Sequence, residues 1–198
     1  MRGPSGPADK EPDLATATTT ERGASGLRAV TAARAIVAAA LAVVVTFTAD
    51  HTPSFGLLVF GAFGVVYGLV VVAGARTIAR TRSGRGIVVA RGLVLVLAGA
   101  LALVRHDGGL GTLLVLEAPA FLVAGALEVL GGLRRVDANA ASRDAVVVGG
   151  LALLVGAMLS ILTPDSIFAV GVLSAWGAIV AVYLGIAALT PGRIRGDA

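Results

Sequence analysis

The sequence predicts an all-α fold, a six-helix transmembrane bundle made of three consecutive helical hairpins. Three observations predict it. Of 198 residues, 57% are hydrophobic and 14% charged, and the mean hydropathy of +0.91 far exceeds what the core of a soluble domain this size requires. Six long apolar stretches follow one another along the chain. An internal repeat divides those stretches into pairs.

Residues 1–27 precede the first stretch. They carry Pro4, Pro7 and Pro12, mixed charges and the run Ala15 to Thr20 without an apolar period, and are expected to form an unstructured cytoplasmic tail. The expected spans are Ala29–Ala49, Phe55–Ala75, Gly86–Val104, Gly109–Leu133, Ala145–Thr163 and Ser166–Thr190. Each holds about 19 to 25 residues, which at about 1.5 Å per residue crosses a hydrocarbon core of roughly 30 Å. The membrane domain is thus expected over 28–190, with a short cytoplasmic tail at 191–198. Val, Ile and Gly are common in these stretches and would favour strands in water. In lipid, unbroken runs of this length satisfy their backbone groups as helices, because barrel strands are about half as long and alternate in polarity.

Orientation follows from the basic residues in alternate connections. Thirteen of the sixteen Lys and Arg residues fall on one side: Arg2, Lys10, Arg22, Arg28, Arg76, Arg80, Arg82, Arg85, Arg134, Arg135, Arg143, Arg193 and Arg195. The other side has Arg105 alone, while Arg34 and Arg91 lie just inside the helix ends of the first. The Arg-rich side, with both termini, is expected in the cytoplasm and the protein in the plasma membrane. A competing reading makes the first stretch a signal peptide cleaved near Thr48–Ala49; the length of the run, the polar segment before it and the repeat favour a retained helix.

The repeat is visible in Ala33-Arg34-Ala35-Ile36-Val37, which recurs as Ala90-Arg91-Gly92-Leu93-Val94 after a shift of 57 residues. The same shift superposes Gly68 on Gly125 and Gly74 on Gly131, and a looser third copy starts at Ser142-Arg143-Asp144-Ala145-Val146. Each copy reads as an Arg, a helix going out, a short turn and a Gly-containing helix returning. Turns that short make the two helices antiparallel neighbours. The outer turns of copies one and three share Thr52-Pro53 and Thr163-Pro164, with Gly64 and Gly177 in the helices that follow; the middle copy has Arg105-His106-Asp107-Gly108-Gly109 instead. On these features residues 28–190 resemble the HdeD-like family of small bacterial membrane proteins associated with acid resistance and stress. The resemblance implies a non-enzymatic envelope or stress-response role and brings no catalytic residue with it.

Ionisable residues inside the spans are the main functional pointers, because an unpaired charge in lipid costs several kcal/mol. Glu117 and Glu128 are eleven residues apart on the fourth stretch, which at 100° per residue returns them to within about 20° of one face. Glu128 is six residues from Arg134 and Arg91 six from Arg85, so an Arg91–Glu128 ion pair is expected. It reads either as a clasp fixing the register of the middle hairpin or as part of an ion path. Glu117, two residues before Pro119, is the candidate titrating group: either an uncharged acid hydrogen-bonded between helices, or a carboxyl in a proton or cation pathway. Arg34 lacks an acidic partner in its own hairpin and is expected to snorkel to the headgroups, with Arg143 and Asp144 interfacial.

Asp50, His51, His106, Asp107 and Asp165 gather on the outer side, where a pH sensor is one reading and ordinary turn chemistry the other. The Gly64–Gly68 GxxxG stretch allows close helix approach, and Trp176 and Tyr183 read as packing aromatics. Cysteine is absent and histidine numbers two, which leaves no thiolate metal site and no cofactor to predict. Phosphate-loop, nucleophile-elbow, HExxH and dinucleotide-binding patterns are all missing, so no enzyme activity is expected. The net charge of +4 lies between apolar runs rather than along one helix face. It suits an anionic leaflet, not nucleic acid. The expected partners are the lipid bilayer, and a second copy or other membrane proteins. The alternative function is a small proton, ion or solute transporter or channel using Glu117.

Overall fold

The computed structural model describes residues 14–79, 81–134, 139–162 and 165–190. These form seven helices: α1 (Leu14–Phe47), α2 (Pro53–Ala73), α3 (Ala75–Ile78), α4 (Arg82–Val104), α5 (Leu110–Leu133), α6 (Asn139–Ile161) and α7 (Ser166–Leu189). All but the single turn of α3 are long and apolar enough to cross a membrane. This is the architecture of a multi-pass membrane protein. Large apolar side chains such as Phe47, Leu97, Val115, Ile179, Val182 and Leu189 lie exposed on its outside, while Leu57, Phe60, Leu113, Leu173 and Leu184 fill the centre. An exterior this apolar suits a lipid environment.

Helix ends follow local chemistry. At one end of the bundle Thr52 caps α2, its hydroxyl accepting from the Phe55 N–H at 3.3 Å, with Pro53 in the first turn where its missing donor is harmless. Asp165 caps α7 by accepting from the Phe168 N–H at 2.7 Å. At the other end Thr81 caps α4, accepting from the Gly84 N–H at 3.0 Å, which moves the start of that helix from the expected Gly86 back to Arg82. Helix α1 also starts early, at Leu14, within the segment expected to be an unstructured tail. From Leu14 onward that expectation is corrected: no proline lies between Pro12 and Pro53, Ala and Leu favour helix, and extending a nucleated helix costs far less than starting one. Residues 1–13, the 191–198 tail and the Thr163-Pro164 turn lie outside the described residues.

The six long helices form a closed ring in the order α1, α2, α4, α5, α6, α7 and back to α1. Hairpin partners are neighbours, but the most intimate packing lies between hairpins, at α2·α4, α5·α6 and α7·α1. Glycine explains two of these seams. A Cβ on Gly68 would stand 2.5 Å from the Gly92 carbonyl oxygen, and one on Gly125 would stand 2.8 Å from that of Gly149. A shift of 57 residues carries the first glycine pair onto the second, so the repeat encodes a backbone-to-backbone seam as well as a hairpin. At the third seam Gly177 faces the Ala38 carbonyl. There Ser174 Oγ donates to the Ala42 carbonyl at 3.3 Å and lies 3.2 Å from Thr46 Oγ1.

Candidate functional site

The ring brings together four polar side chains from four helices near its Arg-rich end. Arg34 of α1, Arg91 of α4 and Glu128 of α5 are all buried, as is Tyr67 of α2. Arg91 Nη1 lies 3.1 Å from Glu128 Oε1, the pair anticipated from their matching depths. Arg34 Nη2 donates to that same oxygen, and its Nε donates to the Tyr67 hydroxyl at 3.0 Å. The Arg34 guanidinium also sits 5.3 Å from the centre of the Tyr67 ring, within cation–π range.

The snorkelling expected of Arg34 is therefore corrected. Its own hairpin offers no acid at its depth, but across the interior of the ring its long side chain reaches Glu128 of α5, and a shared carboxylate stabilises a guanidinium better than a long reach to the headgroups. Arg34 and Arg91 are equivalent in successive repeats, and one carboxylate serves both. The Arg91 Nε and Nη2 atoms are buried and have no hydrogen-bond partner among the described residues. Arg143, the third repeat's counterpart, is exposed. Its neighbour Asp144 accepts from the Tyr183 hydroxyl at 3.0 Å, which gives Tyr183 a polar role beyond packing.

Glu117 shares the inward face of α5 with Glu128 and is fully buried. Neither carboxyl oxygen meets a hydrogen-bond partner among the described residues, so the interhelical hydrogen bond expected for the acid is absent from them. Pro119 lies on the exposed side of α5, whereas Glu117 is buried. One turn further along α5 begins an aromatic layer. Trp176 meets Phe121 at 5.0 Å, Phe63 at 5.4 Å and Tyr67 at 6.0 Å between ring centres, each edge-on, and Phe60 joins through Phe121 at 6.3 Å. Phe121 stands between Glu117 and Glu128 along α5, and Tyr67 joins this layer to the Arg34–Glu128–Arg91 cluster. The Trp176 Nε1–H is a further buried donor without a partner among the described residues.

The turn residues at the end opposite the Arg-rich one do local work. Asp50 accepts from the Thr52 N–H at 2.9 Å, and that bond holds its carboxyl below the usual carboxylate range. Asp165 is a helix cap. His51 Nδ1 and His106 Nδ1 lie 3.2 and 3.1 Å from the carbonyls of Ala49 and Leu103. No group of three or more potential metal ligands occurs among the described residues.

Comparison with known families, with curated proteins and with solved structures yields no match. Sequence reasoning reached Arg91, Glu128 and Glu117 from depth and helical phase. It missed Tyr67 and the role of Arg34. The signal for Arg34 lay in its repeat equivalence to Arg91.

Proposed function

We propose that this chain is a non-enzymatic envelope component of the HdeD-like type, serving the plasma membrane under acid or other stress, with its Arg-rich end and both termini in the cytoplasm. The observation that carries the non-enzymatic reading is how the interior polar groups are spent. Glu128 accepts from guanidinium groups of two different helices, so this chemistry joins elements rather than exposing a reactive group. Four further aromatic rings pack together with the cluster's Tyr67, and a filled interior suits a structural bundle better than an open channel. The stress assignment rests on the repeat, the Thr-Pro outer turn and the glycine placement noted in the sequence. Survival at acid pH of a strain lacking the chain tests it: the role predicts a loss restored by wild type and equally by Glu117→Gln, and unchanged survival of the deletion strain would refute it.

A second reading is favoured by Glu117 itself. A carboxyl this deep without a partner among the described residues is expensive, and proton or cation handling would account for its retention. Proton flux into proteoliposomes, measured for wild type and Glu117→Gln, separates the two. Flux that vanishes with the substitution would replace the structural reading by a transporter; equal background flux would sustain it.

A further inference from the structure

Helices α1 and α2 touch near the Arg-rich end and part toward the other. A Cβ on Gly74 would stand 2.6 Å from Val30 Cγ1, and deeper in the bond from Arg34 Nε to the Tyr67 hydroxyl ties the same two helices. Beyond that tie lies a groove of about 440 Å³, within the roughly 300–1,000 Å³ of small-molecule sites. Exposed Ile36, Ala40 and Val44 of α1 and exposed Leu58, Ala62 and Val66 of α2 flank it, and buried Leu41 and Phe63 form its floor. In the middle hairpin the 57-residue shift replaces Ala40 by Leu97 and Val44 by Leu101, and α4 packs more closely on α5 than α1 does on α2. An empty groove forfeits contacts that a filled one would make.

We propose that this groove holds one acyl chain of a membrane phospholipid, from the leaflet at the end opposite the Arg-rich one. Length, depth and charge select that occupant. From Phe55 to Val66 is eleven residues, about 16 Å of helix, which matches one leaflet's share of a hydrocarbon core of roughly 30 Å. Phe55 lies in the first turn of α2, so the groove begins at the membrane edge and stops at the Arg34–Tyr67 tie. A membrane-spanning helix of a second copy needs a trough through the whole thickness, and a stable interface buries about 800 Å² on each partner. A short groove closed part-way offers neither. No charged residue lines it, so it takes a tail and leaves the headgroup at the turn. Packing contact rather than transfer from water holds the chain, because the surrounding lipid is equally apolar. The site is independent of the envelope role proposed above and of any transport through Glu117.

Trp176 reports on the occupant. It is the sole tryptophan, is 5% exposed and meets the floor residue Phe63 edge-on at 5.4 Å between ring centres. Full-length protein is reconstituted in phosphatidylcholine vesicles with or without bromine in the half of the tail nearer the methyl end, and Trp176 fluorescence is read. Brominated tails should quench the wild type. Ala40→Leu with Val44→Leu gives α1 the side chains that α4 carries, and Ala62→Leu fills the groove from the opposite wall; each should remove the quenching while circular dichroism stays helical. Ala62→Cys, in a chain without native cysteine, tests for a second copy under oxidising conditions and should remain monomeric. An unquenched wild type, quenching that persists in either folded variant, or a disulfide-linked Ala62→Cys dimer would each overturn the proposal.

Discussion

Arg34 and Arg91 occupy equivalent places in two repeats, yet they meet at one carboxylate because the helices bearing them stand in a closed ring. Glu128 is the residue on which this cluster depends. Glu128→Gln leaves two buried guanidinium groups without the carboxylate they share, and breaking such an arrangement costs about 3–5 kcal/mol; unfolding in detergent should show the lowered midpoint. Glu117→Gln breaks no hydrogen bond among the described residues and should leave that midpoint within experimental error of wild type. The contrast between two glutamates on one helix face is the sharpest residue-level check. At the end opposite the Arg-rich one, Asp50 contributes stability above its unfolded pKa that is lost only as pH falls through its depressed folded value. Acid should therefore act on this turn late and weakly, since the side chain is exposed. The Arg91–Glu128 pair was legible because Arg91 is as far from Arg85 as Glu128 is from Arg134. Arg34 was not, because reasoning within a hairpin cannot see a partner from another hairpin.

The three inter-hairpin seams set the spacing of the helices. Adding a methyl group at Gly68 or Gly149 pushes a Cβ against a backbone carbonyl 2.5 or 2.8 Å away, and backbone cannot turn aside as a side chain can. Gly68→Ala and Gly149→Ala should each lose about 1–3 kcal/mol, read as a lowered melting temperature. Gly150→Ala is the internal control: nothing lies within 4 Å of its added Cβ, so the helix-propensity gain of about 0.5–1 kcal/mol should leave it neutral or slightly stabilised. Apolar length, which alone marks where hydrocarbon begins and ends, made the six spans legible. Their ends shifted where a side-chain cap governs, as at Thr81. The early start of α1 escaped a compositional reading because Ala and Thr outside lipid carry no apolar period, although nothing in them stops a helix. The seams were half legible: glycine spacing announced close contact but not which helix supplies the other side.

Across the molecule, tight seams at α2·α4, α5·α6 and α7·α1 alternate with looser contacts inside the hairpins. Between α1 and α2 the looser contact leaves an apolar groove lined by Ile36, Leu41, Val44, Phe55, Leu58 and Val66, in keeping with a lipid-facing exterior. The ring holds its charged cluster in the half nearest the Arg-rich end, its aromatic layer next, and Glu117 toward the opposite end. That gradient, with basic residues concentrated beyond one end of six apolar helices, is the central claim about the whole. Its most direct test exploits the lack of native cysteine: single cysteines at Ser83, Leu97 and His106, probed in intact cells with a membrane-impermeant maleimide. The account predicts labelling of His106→Cys in intact cells, of Ser83→Cys only after permeabilisation, and of Leu97→Cys in neither. Labelling of Leu97→Cys as readily as the turn positions, or recovery of the chain in the soluble fraction, would contradict it.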